Sequence, residues 1–194
     1  MKIYDYTDEI AEHYTEGFAR AQPLRWLVIH GTGGGGLLPW VRTAYLRPNS
    51  AQFRNYRNGI ALYHYGIERR GTVSRFIRDD RWVYHASIGQ LEHGTIGIES
   101  ENLSRDNSGP YTIEQYQSLA TLCAFLFREH ATLCEIVSHL YCQQYISGLP
   151  KTKPCPGAGF DWRHFISELG HYFDRDAIKF EHGRIVGLYL QGAP

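Results

Sequence analysis

Two histidines and one cysteine stand where their side chains could hold a metal ion. His30 ends a short apolar run and is followed by glycines, and His139 directly follows the short run 135–138. Cys155 lies between two prolines, which stiffen the backbone, and Lys153 two residues before it favours the thiolate. Two imidazoles and one thiolate make a tetrahedral zinc site with one position open, the arrangement of a catalytic zinc.

The spacing alone leaves the third ligand open. Cys142 lies three residues after His139 and competes with Cys155, and the chain contains no Cys-x-x-Cys motif to decide between them. A zinc ion with an open position polarises a carbonyl and lowers the pKa of bound water toward ~7, as amide hydrolysis requires. A purely structural zinc site is the alternative.

The elements that must position these residues alternate between strands and helices. Runs rich in β-branched and aromatic residues predict strands over 25–30, 95–99 and 135–138, and a hairpin over 61–77 that turns at 69–71. Helices are predicted from Thr112, with Gln115 as its capping-box partner, to about His130, and from the N-cap Asp161 to Gly170. This order predicts an α/β fold: a single domain with a central mixed β-sheet flanked by helices.

The charge balance excludes some partners. The 194 residues carry 20 Lys and Arg against 20 Asp and Glu, so electrostatic capture of nucleic acid or of an anionic membrane is not expected. Locally, Gly31 to Ile67 contains no acid and four arginines, which form either a solvated loop or a positive rim for an anionic ligand: Arg42, Arg47, Arg54 and Arg57.

No apolar run approaches the ~20 residues of a membrane span, and the amino terminus lacks the apolar stretch of a signal peptide, which predicts synthesis in the cytoplasm.

The glycine run after His30 formally fits the G-x-G-x-x-G of dinucleotide-binding folds. That motif needs a helix at its last glycines and an acid about 20 residues further on. The run 31–36 is followed by Pro39 and by no acid before Glu68. The run therefore predicts a loop beside His30 rather than a nucleotide site.

Several short segments, taken in order, resemble a known family. They are the strand ending in His30, Tyr63-His64-Tyr65, Trp82-Val83-Tyr84-His85-Ala86, Ile96-Gly97-Ile98-Glu99, Ser138-His139 and Lys153-Pro154-Cys155-Pro156-Gly157. The ordered set resembles the zinc-dependent N-acetylmuramoyl-L-alanine amidases of the amidase-2 class, which includes phage endolysins, cell-wall-recycling amidases and animal peptidoglycan recognition proteins. The resemblance covers residues 24–170 and leaves 1–23 as an N-terminal helical extension and 171–194 as a C-terminal extension.

The resemblance implies a ligand set and an electrostatic catalyst. His30, His139 and Cys155 would bind Zn²⁺, with Cys155 standing where other members have Asp. Lys153 occupies the position of the family's catalytic lysine, whose physical role is to stabilise the oxyanion on the attacked carbonyl.

The resemblance leaves the general base open between two residues. Family members use a Tyr at the position of Tyr63 or a Glu at the position of Glu99, and this chain has both. A carboxylate is chemically the better base, so we favour Glu99 and expect Tyr63 to orient. Trp82 and His85 match a segment that lines the family's cleft, and contact with substrate or packing in the core is expected of them.

The activity implied by the resemblance is hydrolysis of the amide between the lactyl group of N-acetylmuramic acid and the first L-alanine of the stem peptide. The partner would be peptidoglycan or a muropeptide, with no nucleic acid and no membrane. A non-catalytic peptidoglycan-binding module of the same fold is the alternative. Release to the wall by phage lysis and delivery as an effector are the routes left open to a chain made in the cytoplasm.

Overall fold

The computed structural model describes residues 1–13, 17–37, 62–148 and 154–192. The strands in these ranges are β1 (Ile3–Asp5), β2 (Phe18–Ala19), β3 (Trp26–Gly31), β4 (Tyr65–Ile67), β5 (Val73–Arg75), β6 (Arg81–Trp82), β7 (Thr95–Ser100), β8 (Glu135–Ser138), β9 (Lys179–Glu181) and β10 (Arg184–Val186). The helices are α1 (Thr7–His13), α2 (Ile113–Glu129), α3 (His139–Tyr141) and α4 (Trp162–Leu169). A 3-10 helix spans Gly89–Gly94, and a π-helical turn, Cys142–Ile146, continues α3.

Eight of the strands in the described ranges form one mixed sheet in the order β1-β5-β4-β7-β3-β8-β10-β9. The central strands β4, β7, β3 and β8 are parallel, while β5, β10 and β9 add antiparallel pairings. Strands β2 and β6 form a separate antiparallel pair. The predicted mixed sheet is therefore confirmed, and the carboxyl ends of β3, β7 and β8 meet at one edge.

The alternation along β3 divides the core between the two faces of the sheet. Leu27 and Ile29 pack on one face in the main cluster, together with apolar residues of α2 and α4. Val28 packs on the other face in a smaller cluster with Val137 and Cys142. His30 follows Val28 by two residues, so its side chain lies on the face away from α2 and α4.

The two long helices begin where the sequence predicts. Thr112 Oγ1 accepts a hydrogen bond from Gln115 N at 3.2 Å, and Gln115 Oε1 accepts one from Thr112 N at 3.0 Å, which completes the capping box. Asp161 Oδ1 accepts from the first turn of α4. Caps of this kind stabilise a helix by about 1 kcal/mol. None of the helices within the described ranges is long and apolar enough to cross a membrane.

The terminal segments are part of the sheet. β1 pairs in parallel with β5 at one edge, and the hairpin of β9 and β10 extends the other edge by pairing with β8. The first 23 residues are only partly helical, because β1 and β2 flank the short α1. Arg184 donates to both carboxylate oxygens of Glu135, at 2.9 and 2.8 Å, and fastens the hairpin to β8.

Candidate metal centre

The structure brings His30, His139 and Cys155 together at the carboxyl edge of the sheet. Their ligand atoms all lie within 4.8 Å of one another. The register explains the two histidines: Ile29 of β3 is the partner of Ser138 in β8, so the next residues, His30 within β3 and His139 at the start of α3, lie side by side at this edge. Ser138 then caps α3 by accepting a hydrogen bond from Tyr141 N at 2.9 Å.

Main-chain hydrogen bonds bring Cys155 to the two histidines from its distant loop. Leu140 N, next to His139, donates to the carbonyl oxygen of Cys155 at 3.0 Å. Gly31 N, next to His30, donates to Cys155 Sγ at 3.4 Å. Tyr111 fixes the following residue by donating to Pro156 O at 2.8 Å. The thiol is thus seated by the same two segments that carry the imidazoles.

The structure separates the two competing cysteines. Across the described ranges, His30, His139 and Cys155 are the one group of three ligand-type side chains close enough to share a metal. Cys142 packs instead in the smaller apolar cluster, where burial raises the pKa of its thiol and keeps it protonated. Of the two alternatives in the sequence, Cys155 is the one that meets the histidines.

The donor set fits a tetrahedral zinc ion. Zn–S of ~2.3 Å and Zn–N of ~2.0–2.1 Å at a tetrahedral angle place S and N about 3.6 Å apart, and His30 Nδ1 lies 3.8 Å from Cys155 Sγ. Burial, and then the neighbouring His139 and His85, hold the pKa of His30 well below its usual value. A neutral imidazole keeps the lone pair that a metal needs.

His85 and Trp82 lie in the interior. The side chain of His85 has no exposed surface, and its Nδ1 lies 3.1 Å from His30 Nε2, behind the candidate ligand. Trp82 is buried between the rings of Phe18 and His93, at centroid distances of 4.8 and 4.2 Å. Contact of either side chain with substrate stays a prediction.

Both candidate bases lie next to His30. Glu99 is the register partner of His30 in the parallel pair of β7 and β3, and it is buried. The ring of Tyr63 lies 5.0 Å from the ring of His30 between centroids. Lys153, expected to stabilise the oxyanion, lies outside the described residues, as do the four arginines of the basic stretch.

Behind the candidate ligands, the structure adds polar residues that sequence reasoning missed. Asn107 Oδ1 accepts from Gly33 N at 2.6 Å and its Nδ2 donates to Gly31 O at 3.1 Å, which fixes the start of the glycine loop. Thr95 Oγ1 lies 2.8 Å from His85 Nε2, and Glu92 accepts the main-chain N–H of His85 at 2.7 Å. The partners of Asn107 lie in a distant part of the chain, and the contacts of His85 with Thr95 and Glu92 join residues of one stretch that follow no recognised motif.

A third buried histidine, His64, supports β7, the strand that carries Glu99. His64 Nδ1 accepts a hydrogen bond from Gly97 N at 3.1 Å, and its Nε2 lies 3.1 Å from the carbonyl oxygen of Arg81. Burial, followed by the charge of Arg20, lowers the pKa of His64 to about 3. The ring is therefore neutral near pH 7 and serves as a fixed spacer between strands.

Comparisons with known proteins agree with this fold and site. The family model Amidase_2, N-acetylmuramoyl-L-alanine amidase, matches residues 20–158, and the chain belongs to this family. It is similar to the 1,6-anhydro-N-acetylmuramyl-L-alanine amidase AmpD of Haemophilus influenzae, with 31% identity over 114 residues. That alignment covers 55% of this chain and 57% of the relative, so less than two thirds of the relative is spanned.

Solved structures of the same class share the fold. A selenomethionine derivative of AmpD superposes with a TM-score of 0.63 at 24% identity, over 79% of this chain and 90% of that one. The amidase LysC from Clostridium intestinale has a TM-score of 0.58 at 20% identity, over 88% and 98%. The Drosophila peptidoglycan recognition protein SD has a TM-score of 0.58 at 18% identity, over 82% and 90%. The expected amidase and peptidoglycan-recognition fold is confirmed.

Proposed function

We propose that this protein is a zinc-dependent amidase that cleaves the bond between N-acetylmuramic acid and L-alanine in peptidoglycan or its fragments. The observation that carries the proposal is the convergence of the ligand atoms of His30, His139 and Cys155 within 4.8 Å, beside the buried Glu99. Membership of the amidase family and the activity named for the AmpD relative support the bond that is cleaved.

His30, His139 and Cys155 are the residues that would hold the zinc ion. Three protein ligands leave a fourth tetrahedral position to water or substrate, as in catalytic zinc sites. When bound, the ion supplies Lewis acidity toward the amide carbonyl and activates water near neutral pH. The neutral state of His30, which its burial enforces, suits this role.

Glu99 is the proposed general base. Its carboxylate lies on the same face of the sheet as His30 and next to it in register, within reach of a water molecule that attacks a carbonyl held there. Glu99 takes a proton from that water as the oxygen bonds to the carbonyl carbon. It returns the proton to the amide nitrogen as the C–N bond breaks, so the products are a carboxylic acid and a free amine.

Two further residues have proposed supporting roles. Tyr63 packs against the His30 ring and orients the groups around it. Lys153, by the family resemblance, donates to the oxyanion that develops on the attacked carbonyl, and each donor of this kind is worth about 10²–10³ in kcat.

A defined substrate tests the proposal. The purified protein is incubated with an N-acetylmuramoyl peptide, and the products are read by mass spectrometry, with the free stem peptide as a control that lacks the target bond. We expect a stem peptide beginning with L-alanine and a saccharide carrying a free lactyl carboxylate, while the control stays intact. Binding of the substrate without cleavage would overturn the amidase proposal and favour the non-catalytic binding module.

A further inference from the structure

We propose that Thr95 and His85 fix the tautomer of His30, so that Nδ1 is the unprotonated nitrogen that faces the candidate metal position. Both act as positioning residues, since neither belongs to the ligand set. The role given to this tautomer rests on the proposed function, because it matters only if a metal binds at His30. The hydrogen bonds that set the tautomer are all made within the protein.

The direction of the hydrogen bonds is set at the far end, by a main-chain carbonyl. Thr95 Oγ1 lies 2.8 Å from the carbonyl oxygen of Glu92, which can only accept. Thr95 therefore donates its single hydroxyl hydrogen to the carbonyl oxygen of Glu92. Toward His85 Nε2, which is also 2.8 Å away, the same oxygen can only accept, so His85 carries its proton on Nε2.

His85 in turn sets the position of the proton on His30. A neutral ring protonated on Nε2 has its lone pair on Nδ1, and His85 Nδ1 lies 3.1 Å from His30 Nε2. His30 must then donate from Nε2, which leaves its own Nδ1 unprotonated. That nitrogen lies 3.8 Å from Cys155 Sγ, on the side where the three candidate ligands converge.

The ring of His85 is held in one place. The Glu92 carboxylate accepts the main-chain N–H groups of His85 and Ala86 at 2.7 and 3.1 Å, which fixes the loop that carries the ring. On the opposite side, a Cβ on Gly97 would lie only 2.7 Å from His85 Nδ1, so the ring occupies the space that a side chain there would need. In this position each ring nitrogen of His85 faces one partner, Thr95 Oγ1 at Nε2 and His30 Nε2 at Nδ1.

The consequence is a site that is ready for a metal before one binds. If His30 carried its proton on Nδ1, that proton would have to move before the nitrogen could coordinate. Hydrogen-bond partners behind metal ligands typically contribute 10–100-fold to metal affinity. In this series of hydrogen bonds, Thr95 is the residue furthest from the candidate metal position. It can therefore be replaced without changing a candidate ligand.

A matched pair of variants at Thr95 separates this role from packing. Thr95→Val removes the hydroxyl and keeps the shape, whereas Thr95→Ser keeps the hydroxyl and loses a methyl group. Two readouts are taken on each folded full-length protein: the ring-nitrogen chemical shifts of His30 in the metal-free state, by long-range ¹H–¹⁵N NMR, and zinc affinity, by competition with a chromophoric chelator.

We expect wild type and Thr95→Ser to hold the His30 proton on Nε2 and to bind zinc alike. In Thr95→Val the ring should show a mixture of tautomers, and zinc affinity should fall about 10-fold. Equal behaviour of the Val and Ser variants, whether both unchanged or both weakened, would overturn the inference. Wild-type protein that binds no zinc would instead contradict the proposed function, and the NMR readout would still decide the tautomer.

Discussion

His30 and Glu99 lie opposite each other on the adjacent parallel strands β3 and β7. Register partners in a sheet direct their side chains to the same face, and each of these residues is only 1% exposed. The pairing places a carboxylate beside the first candidate ligand without help from any loop. It follows that the sheet itself holds the proposed base beside the first candidate ligand.

Replacing Glu99 by Gln should abolish most of the activity and leave zinc content unchanged. The amide keeps the shape of the carboxylate but cannot accept a proton, and general bases typically contribute 10²–10⁴-fold to the rate. The measurement is kcat for release of stem peptide, together with zinc per chain.

Glu101→Gln is the matched control, because this glutamate lies two residues further on and accepts a hydrogen bond from Arg69 N instead. It should retain kcat. If Glu99→Gln kept most of its kcat while Tyr63→Phe lost it, the base would be the tyrosine and the present assignment would be wrong.

Two alanine variants should separate the two cysteines near His139. Cys155→Ala removes a candidate ligand, so the purified protein should lose its zinc and its activity. Cys142→Ala removes a thiol from an apolar cluster and should cost only stability, on the order of 1 kcal/mol, with zinc retained. Metal analysis and urea unfolding check both, and zinc loss in the Cys142 variant alone would reverse the ligand assignment.

A methyl group at Gly31 should damage the site through packing. A Cβ there would lie 2.2 Å from the hydroxyl oxygen of Tyr111 and 2.9 Å from Asn107, and the Gly31 N–H donates to Cys155 Sγ. We expect Gly31→Ala to lower the free energy of unfolding by about 1–3 kcal/mol and to weaken zinc binding.

Gly94→Ala is the control for this change, since its nearest non-neighbouring atom, Pro23 O, would be 3.3 Å from the new methyl group. The control should lose less stability than Gly31→Ala in urea unfolding, because Pro23 O must yield by only a few tenths of an ångström, and it should bind zinc like wild type in chelator competition. A Gly31 variant as stable as the Gly94 variant would show that the loop adjusts, against the close packing described here.

Stability of the metal-free protein should fall in acid, partly because His64 is buried as a neutral ring. Its pKa of about 3 lies below the ordinary value of 6.5, so between these limits the unfolded chain binds more protons than the folded one. The contribution of His64 to the free energy of unfolding therefore rises with pH in this window. That contribution is lost as pH falls from about 6.5 toward 3.

The contribution of His64 is measured by its removal. His64→Asn keeps an acceptor for Gly97 N. Between pH ~5.5 and ~4.5, the free energy of unfolding of this variant should fall by about 1.4 kcal/mol less than that of wild type. His171→Asn, at an exposed histidine, is the control for the substitution itself. Identical slopes for wild type and His64→Asn would contradict the assignment.

The local parts of this structure could be predicted from sequence. The capping box of Thr112 and Gln115, the Asp161 cap and the strands that end near His30 and His139 all depend on residues close together in the chain. Apolar period and capping chemistry report directly on such elements.

The long-range parts could not be predicted in this way. The contact between His85 and His30 joins residues 55 apart in the chain, and it depends on β3 and β7 being neighbours in a particular register. Likewise, β1 and β10 join the edges of the sheet through pairings that no local motif encodes. The choice between Cys142 and Cys155 also needed the structure, since both lie a plausible distance from His139 in sequence.

Zinc reconstitution tests whether cleavage depends on an ion held by His30, His139 and Cys155. Protein stripped with a chelator is titrated with zinc while release of stem peptide from an N-acetylmuramoyl peptide is followed by mass spectrometry, in parallel with His139→Ala. We expect activity to rise in proportion to bound zinc, to saturate at one ion per chain, and to be absent from the variant, which should not hold the ion. Full cleavage by the stripped protein, or stoichiometric zinc in wild type without release of stem peptide, would show that the protein is not a zinc-dependent amidase.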